Sequence, residues 1–153
     1  MADSLFCPVR RQWVAASPDE CVRQSLIHQM IHQLGYPSGY IVLEKNLRQM
    51  PHLIHREQKL PTRRTDLVVF SNNIHSNFPL YPLLLIECKV NSSIPRAFEQ
   101  ALGYNCHLGA YYVAVATTHT IQWCKARHPA IKQSGPHLPF YTSFLNDLKS
   151  SLD

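Results

Sequence analysis

Val22, Leu26, Ile27, Met30, Ile31 and Leu34 recur at steps of three and four residues, the spacing of an apolar stripe on one face of a helix. Just ahead of them, Ser17-Pro18-Asp19-Glu20 has the layout of a helix start. A serine can accept from the free backbone amides, proline takes the first helical position, and a glutamate follows three residues after the serine. Gly35 is placed to stop the helix. On a wheel at ~100° per residue the apolar positions cover about half the circle. Glu20 and Arg23 both fall inside that arc, so two charges point inward. The simplest use of Glu20 is a reciprocal cap bond to Ser17.

Shorter patterns follow. Gly39 to Leu47, with Tyr40, Ile41 and Val42, predicts a strand; Met50 to Leu60 is polar and irregular. Arg63 to Phe70 predicts a second strand, and Ser71-Asn72-Asn73 opens a loop that lasts until Pro82. Pro82 to Val90 predicts a third strand, antiparallel to the second. Asn91-Ser92-Ser93 ends it, and Pro95 to His107 predicts a helix with Ala97, Phe98, Ala101, Leu102 and Cys106 inward, closed by Gly109. Ala110 to Ala116 and Thr120 to Cys124 predict two more strands around a Thr117-Thr118-His119 turn. Lys125 to Pro139 reads as an extended surface connection, Phe140 to Leu152 as a last helix, and the residues up to Trp13 as irregular. This order predicts an α/β or α+β layered domain with a mixed sheet.

Composition narrows the class. A chain of 153 residues fits one domain, 1–153, with a core over about 10–125 and a C-terminal extension over 126–153. Apolar residues make up 45% and charged residues 16%, a globular balance. The net charge of +5 and pI near 9.1 suit a polyanionic partner, although the basic residues come only in small groups such as Arg10-Arg11 and Arg63-Arg64. Five cysteines, odd in number and without a Cys-x-x-Cys pair, read as reduced thiols in a cytosol. His28 and His32 stand one helical turn apart, but no glutamate follows His28 to form a metalloprotease motif. The longest apolar run falls well short of the ~20 residues that a membrane span needs, and the first residues lack an apolar signal core. The expectation is a soluble, cytoplasmic protein.

Charge in the apolar strands points to chemistry. Glu87 and Lys89 lie on one face of Pro82–Val90, and Asp66 interrupts the apolar run before it. Charged side chains are rarely buried unless they are paired or bind a metal. Strand pairing can bring both carboxylates to one edge. Asp66 and Glu87, with the main-chain carbonyl of Cys88, then suit Mg²⁺, a hard ion that takes oxygen ligands and keeps several waters. Lys89, next on that face, is placed to orient an attacking water and to stabilise charge on a phosphate. An ordinary ion pair at a strand end is the plainer explanation of Glu87 and Lys89 taken alone.

The full pattern resembles the PD-(D/E)xK nuclease superfamily, and within it the N-terminal nuclease domain of type I restriction enzyme R subunits, in a short stand-alone form. The resemblance runs from Arg10 through Lys125. It is carried by the Ser-Pro-Asp-Glu opening with Val22-Arg23-Gln24, by Leu34-Gly35-Tyr36-Pro37, and by Glu44-Lys45. Arg64-Thr65-Asp66-Leu67-Val68-Val69, Pro82 through Lys89, and Phe98 through Asn105 continue it. It implies a restriction-endonuclease-like core, metal binding by Asp66, Glu87 and Glu20, catalysis by Lys89, and support from Gln100 and Tyr104. The implied cofactor is Mg²⁺, with Mn²⁺ as a substitute, and the implied partner is DNA. Thr65 stands where the superfamily name has proline. No Gly-x-x-x-x-Gly-Lys-Ser/Thr loop is present, so no ATP-driven translocase is expected. A homodimer would supply two sites for a duplex. Two rival readings keep the fold: a non-catalytic nucleic-acid-binding or assembly module, and a nuclease acting on RNA or structured DNA.

Overall fold

The computed structural model describes residues 3–54, 60–90 and 93–152. Among them, eight strands and three α-helices form an α+β architecture in which a mixed six-stranded sheet is the central layer. A two-stranded hairpin, β1 (Ser4–Cys7) with β2 (Gln12–Ala15), precedes α1 (Pro18–His32). β3 (Ile41–Leu43), β4 (Leu67–His75) and β5 (Phe78–Cys88) follow, then α2 (Ile94–Leu108). β6 (Tyr112–Ala116), β7 (Ile121–Lys125), β8 (Gln133–Gly135) and α3 (Tyr141–Ser151) complete the chain. The sheet order is β3-β4-β5-β6-β7-β8, antiparallel throughout except for the parallel β5–β6 pair that α2 connects.

Helix ends form where the caps predict. Ser17 Oγ accepts from the Glu20 amide at 3.3 Å, and Gly35 and Gly109 take left-handed φ values of +75° and +78° after α1 and α2. Alternation along the strands splits the core into two layers. Leu67, Val69, Leu84 and Ile86 join the α1 and α3 side, with Ile27, Met30, Phe144 and Leu148. Val68, Phe70, Leu85 and Val113 join the α2 side, with Phe98, Ala101, Leu47 and Met50. No helix of the described residues is long and apolar enough to cross a membrane.

Several sequence expectations change, among them the inward place of Cys106, which is exposed on α2. The segment expected to be irregular holds a hairpin, Ser4–Cys7 with Gln12–Ala15, whose inner residue Cys7 is fully buried. The strand expected from Gly39 shrinks to Ile41–Leu43 because Ser38–Tyr40 and Leu47–Gln49 turn into 3-10 helices. The loop expected from Ser71 is strand: β4 and β5 continue as a long hairpin, with a bulge where Asn73 takes φ +57° and a turn at Ser76-Asn77. Asn72 and Asn73 are exposed, which is why polar residues are tolerated there without a turn. The expected surface connection after Lys125 carries β8 at the sheet edge and a fully buried Leu138. The expected strand end at Asn91-Ser92 lies outside the described residues, as do residues 55–59 of the polar stretch before Leu60.

Candidate active site

Register brings the two central carboxylates together. Leu67 pairs with Ile86 across β4 and β5, so one step further along the ladder Asp66 comes opposite Glu87. Residues opposite one another in antiparallel strands hold their Cβ atoms about 5 Å apart, close enough for the side chains to meet. Asp66 is held at both oxygens: Oδ1 accepts from Arg23 Nη2 at 3.0 Å and Oδ2 from the Cys88 amide at 2.8 Å. Glu87 is 6% exposed, and its buried Oε1 has no hydrogen-bond partner among the described residues. Burial, then the neighbouring Asp66 charge, pushes the Glu87 carboxyl up to about 8, with Lys89 and Arg23 acting the other way. Lys89 follows the end of β5, half-buried, its amide bonded to the Ala116 carbonyl at 2.9 Å.

Around this pair lies an ion network of five side chains. Arg10, from the turn of the β1–β2 hairpin, donates to Glu20 Oε1 at 2.6 Å and to Glu44 Oε2 at 3.1 Å. Arg23, 5% exposed, reaches Asp66 Oδ1, Glu44 Oε1 at 3.2 Å and Glu20 Oε2 at 3.6 Å. Glu44 itself takes φ +53°, a left-handed conformation that costs a non-glycine residue on the order of 1 kcal/mol. Its ion pairs with two guanidiniums account for that cost. Glu20 thus stands with Asp66 across the Arg23 guanidinium, and its carboxylate is taken up by Arg10, Arg23 and Gln24.

The donor set near Glu87 has the chemistry of a hard-cation site: two adjacent carboxyl groups, one of them with a buried oxygen that has no hydrogen-bond partner among the described residues. The residues fit a divalent ion that two carboxylates hold and water completes. Among the described residues no three His, Cys, Asp or Glu side chains form a metal cluster, so Glu20 is not gathered with Asp66 and Glu87 into one ligand group. His28 and His32 lie against each other on the exposed side of α1, with ring centroids 4.4 Å apart and the rings tilted by 53°.

Gln100 is exposed on α2. Tyr104, one turn on, is half-buried; Arg63 lies 5.4 Å from its ring centroid and donates to its hydroxyl at 3.4 Å. Arg10, Arg23 and Glu44 are site residues that sequence reasoning left without a role. The signal for Arg23 was its place three residues after Glu20 in the inward arc. Arg10 carried none, since its segment shows no periodic pattern.

No curated protein and no solved structure matched the chain. The family described as type I restriction enzyme R protein N terminus matches residues 18–139, which hold α1, β3 to β8 and every carboxylate of the network. That match spans well over half of the sequence and contains the Asp66–Glu87 pair and Lys89 in the order just described. The chain belongs to the type I restriction enzyme R protein N-terminus family.

Proposed function

We propose that this nuclease-like domain is a metal-dependent endonuclease that hydrolyses phosphodiester bonds in DNA with a PD-(D/E)xK site. The observation that carries the reading is Glu87 Oε1, buried beside Asp66 and without a hydrogen-bond partner among the described residues, with Lys89 two residues on. Asp66 and Glu87, with the Cys88 carbonyl, would hold Mg²⁺ or Mn²⁺, which when bound offsets phosphate charge and eases deprotonation of water. Arg23 and the Cys88 amide hold the Asp66 carboxylate in one orientation, so it need not reorganise when substrate arrives. The Lys89 ammonium orients the attacking water and stabilises the negative charge that grows on the phosphate. Glu20 acts from behind Arg23, and exposed Gln100 supports the site from α2. Cutting both strands of a duplex calls for two such sites, hence two copies of the chain.

A second reading is a nucleic-acid-binding or assembly module without catalysis. It draws on the same network, because Arg10 and Arg23 engage the carboxylates of Glu20, Glu44 and Asp66. Incubation with linear, circular and single-stranded DNA and with RNA, each with and without Mg²⁺ or Mn²⁺, separates the two. The endonuclease reading predicts cation-dependent cuts in circular DNA. Salt-sensitive binding with every substrate left intact would replace it with the module.

A further inference from the structure

The β1–β2 hairpin precedes the residues matched to the family, and the chemistry above uses only Arg10 from its turn. Its inner face is anchored: Cys7 is fully buried and Val14 packs on the α1 side of the core. Its outer face is not covered. Phe6 and Trp13 are directly paired in the register, 51% and 69% exposed, with ring centroids 5.6 Å apart in an edge-to-face arrangement. Scattered single apolar residues are normal on a surface, but two aromatic rings opposed on an anchored hairpin form a platform.

Two neighbours give that platform a chemical character. Arg11, exposed in the hairpin turn at φ +53° and two residues before Trp13, adds a cation to the same hairpin. Next to Phe6 opens a recess of about 370 Å³ whose α1 wall offers Gln24, Ser25 and His28 as hydrogen-bonding groups. Ring faces for stacking and a guanidinium for phosphate together match an unpaired nucleotide, and the recess beside Phe6 adds polar groups on one flank of the rings. A duplex keeps its base faces stacked and cannot use the rings in this way. The charge also suits a polyanion, with a net +5 for the chain.

We propose that the outer face of the hairpin binds single-stranded nucleic acid, with bases stacking on Trp13 and Phe6 and Arg11 meeting the backbone phosphates. This rests on the reading of the domain as acting on nucleic acid, and it adds the strand state that the domain holds. Arg10 ties the turn of this hairpin to Glu20 and Glu44, so the platform and the acidic network are joined through one element.

The test is fluorescence anisotropy of the full chain with a short labelled oligothymidine, without divalent cation, beside a matched duplex. Stacking is worth roughly 1–3 kcal/mol per base, so Trp13→Ala should weaken oligothymidine binding by roughly tenfold or more, while Trp13→Phe recovers most of it. Duplex affinity should change by less than about threefold, a change below the range of one stacked base. Unchanged oligothymidine affinity in Trp13→Ala overturns the proposal, as does a wild-type chain that does not bind the oligonucleotide. A dimer in sedimentation that Trp13→Ala abolishes overturns it too, since a second copy then covers the face. Cleavage failing while oligothymidine binding holds overturns the endonuclease reading alone; cleavage without such binding overturns this proposal alone.

Discussion

Glu87 has a carboxyl whose ordinary value of 4.5 is raised to about 8, first by burial and then by Asp66. A raised carboxylate value means that the folded chain keeps a proton the unfolded chain has already released. Between pH 4.5 and about 8 the folded state therefore binds more protons, and this residue makes stability fall as pH rises, by at most about 1.4 kcal/mol per pH unit. Below that window both states hold the proton and the contribution is constant. Glu87→Gln should remove the slope: urea melts of the variant and wild type should converge toward low pH, and the variant should be the more stable near pH 8. Parallel curves across the window would contradict the burial argument. Glu87, Lys89 and Asp66 were legible in the sequence because charge inside an apolar run is costly wherever the strands pair. The partners of Arg23 were not, since Glu44 and Asp66 lie far along the chain and an ion pair between distant segments has no local pattern.

At the scale of elements, Arg23 joins three of them: α1 that carries it, the residue after β3 through Glu44, and the residue before β4 through Asp66. Removing one partner of a buried ion pair leaves charge without compensation, which costs on the order of 3–5 kcal/mol. Arg23→Met should lower unfolding free energy by about 3 kcal/mol at neutral pH, and by less in acid, where the orphaned carboxylates take protons. A loss under about 1 kcal/mol, the worth of an exposed pair, would show that the network contributes little to holding α1 on the sheet. The helices were legible because apolar period and cap residues agree at Ser17, Gly35 and Gly109. The β1–β2 hairpin and β8 were not: each strand is only three or four residues long, too short for alternation to register. The Asn72-Asn73 pair misled because asparagine also suits an exposed strand with a bulge.

At the scale of the whole molecule, a six-stranded mixed sheet places the C-terminal end of β5 beside the start of β4. α1 and the hairpin close over that edge through Arg10 and Arg23. The antiparallel β4–β5 pair and the mixed sheet followed from the succession of patterns, whereas the closure depends on a hairpin that the sequence pattern did not reveal. The resulting assembly fixes Asp66, leaves Glu87 Oε1 without a partner among the described residues, and brings the Lys89 charge to bear on Glu87. The account assigns that assembly to phosphodiester hydrolysis, and Lys89→Ala tests it most directly. In circular DNA with Mg²⁺ or Mn²⁺, wild type should nick or linearise the substrate. The variant, with an unchanged circular dichroism spectrum and melting temperature, should lose that activity by about a hundredfold or more, the scale of one electrostatic contact to the transition state. Cleavage by the folded variant at the wild-type rate would contradict the account.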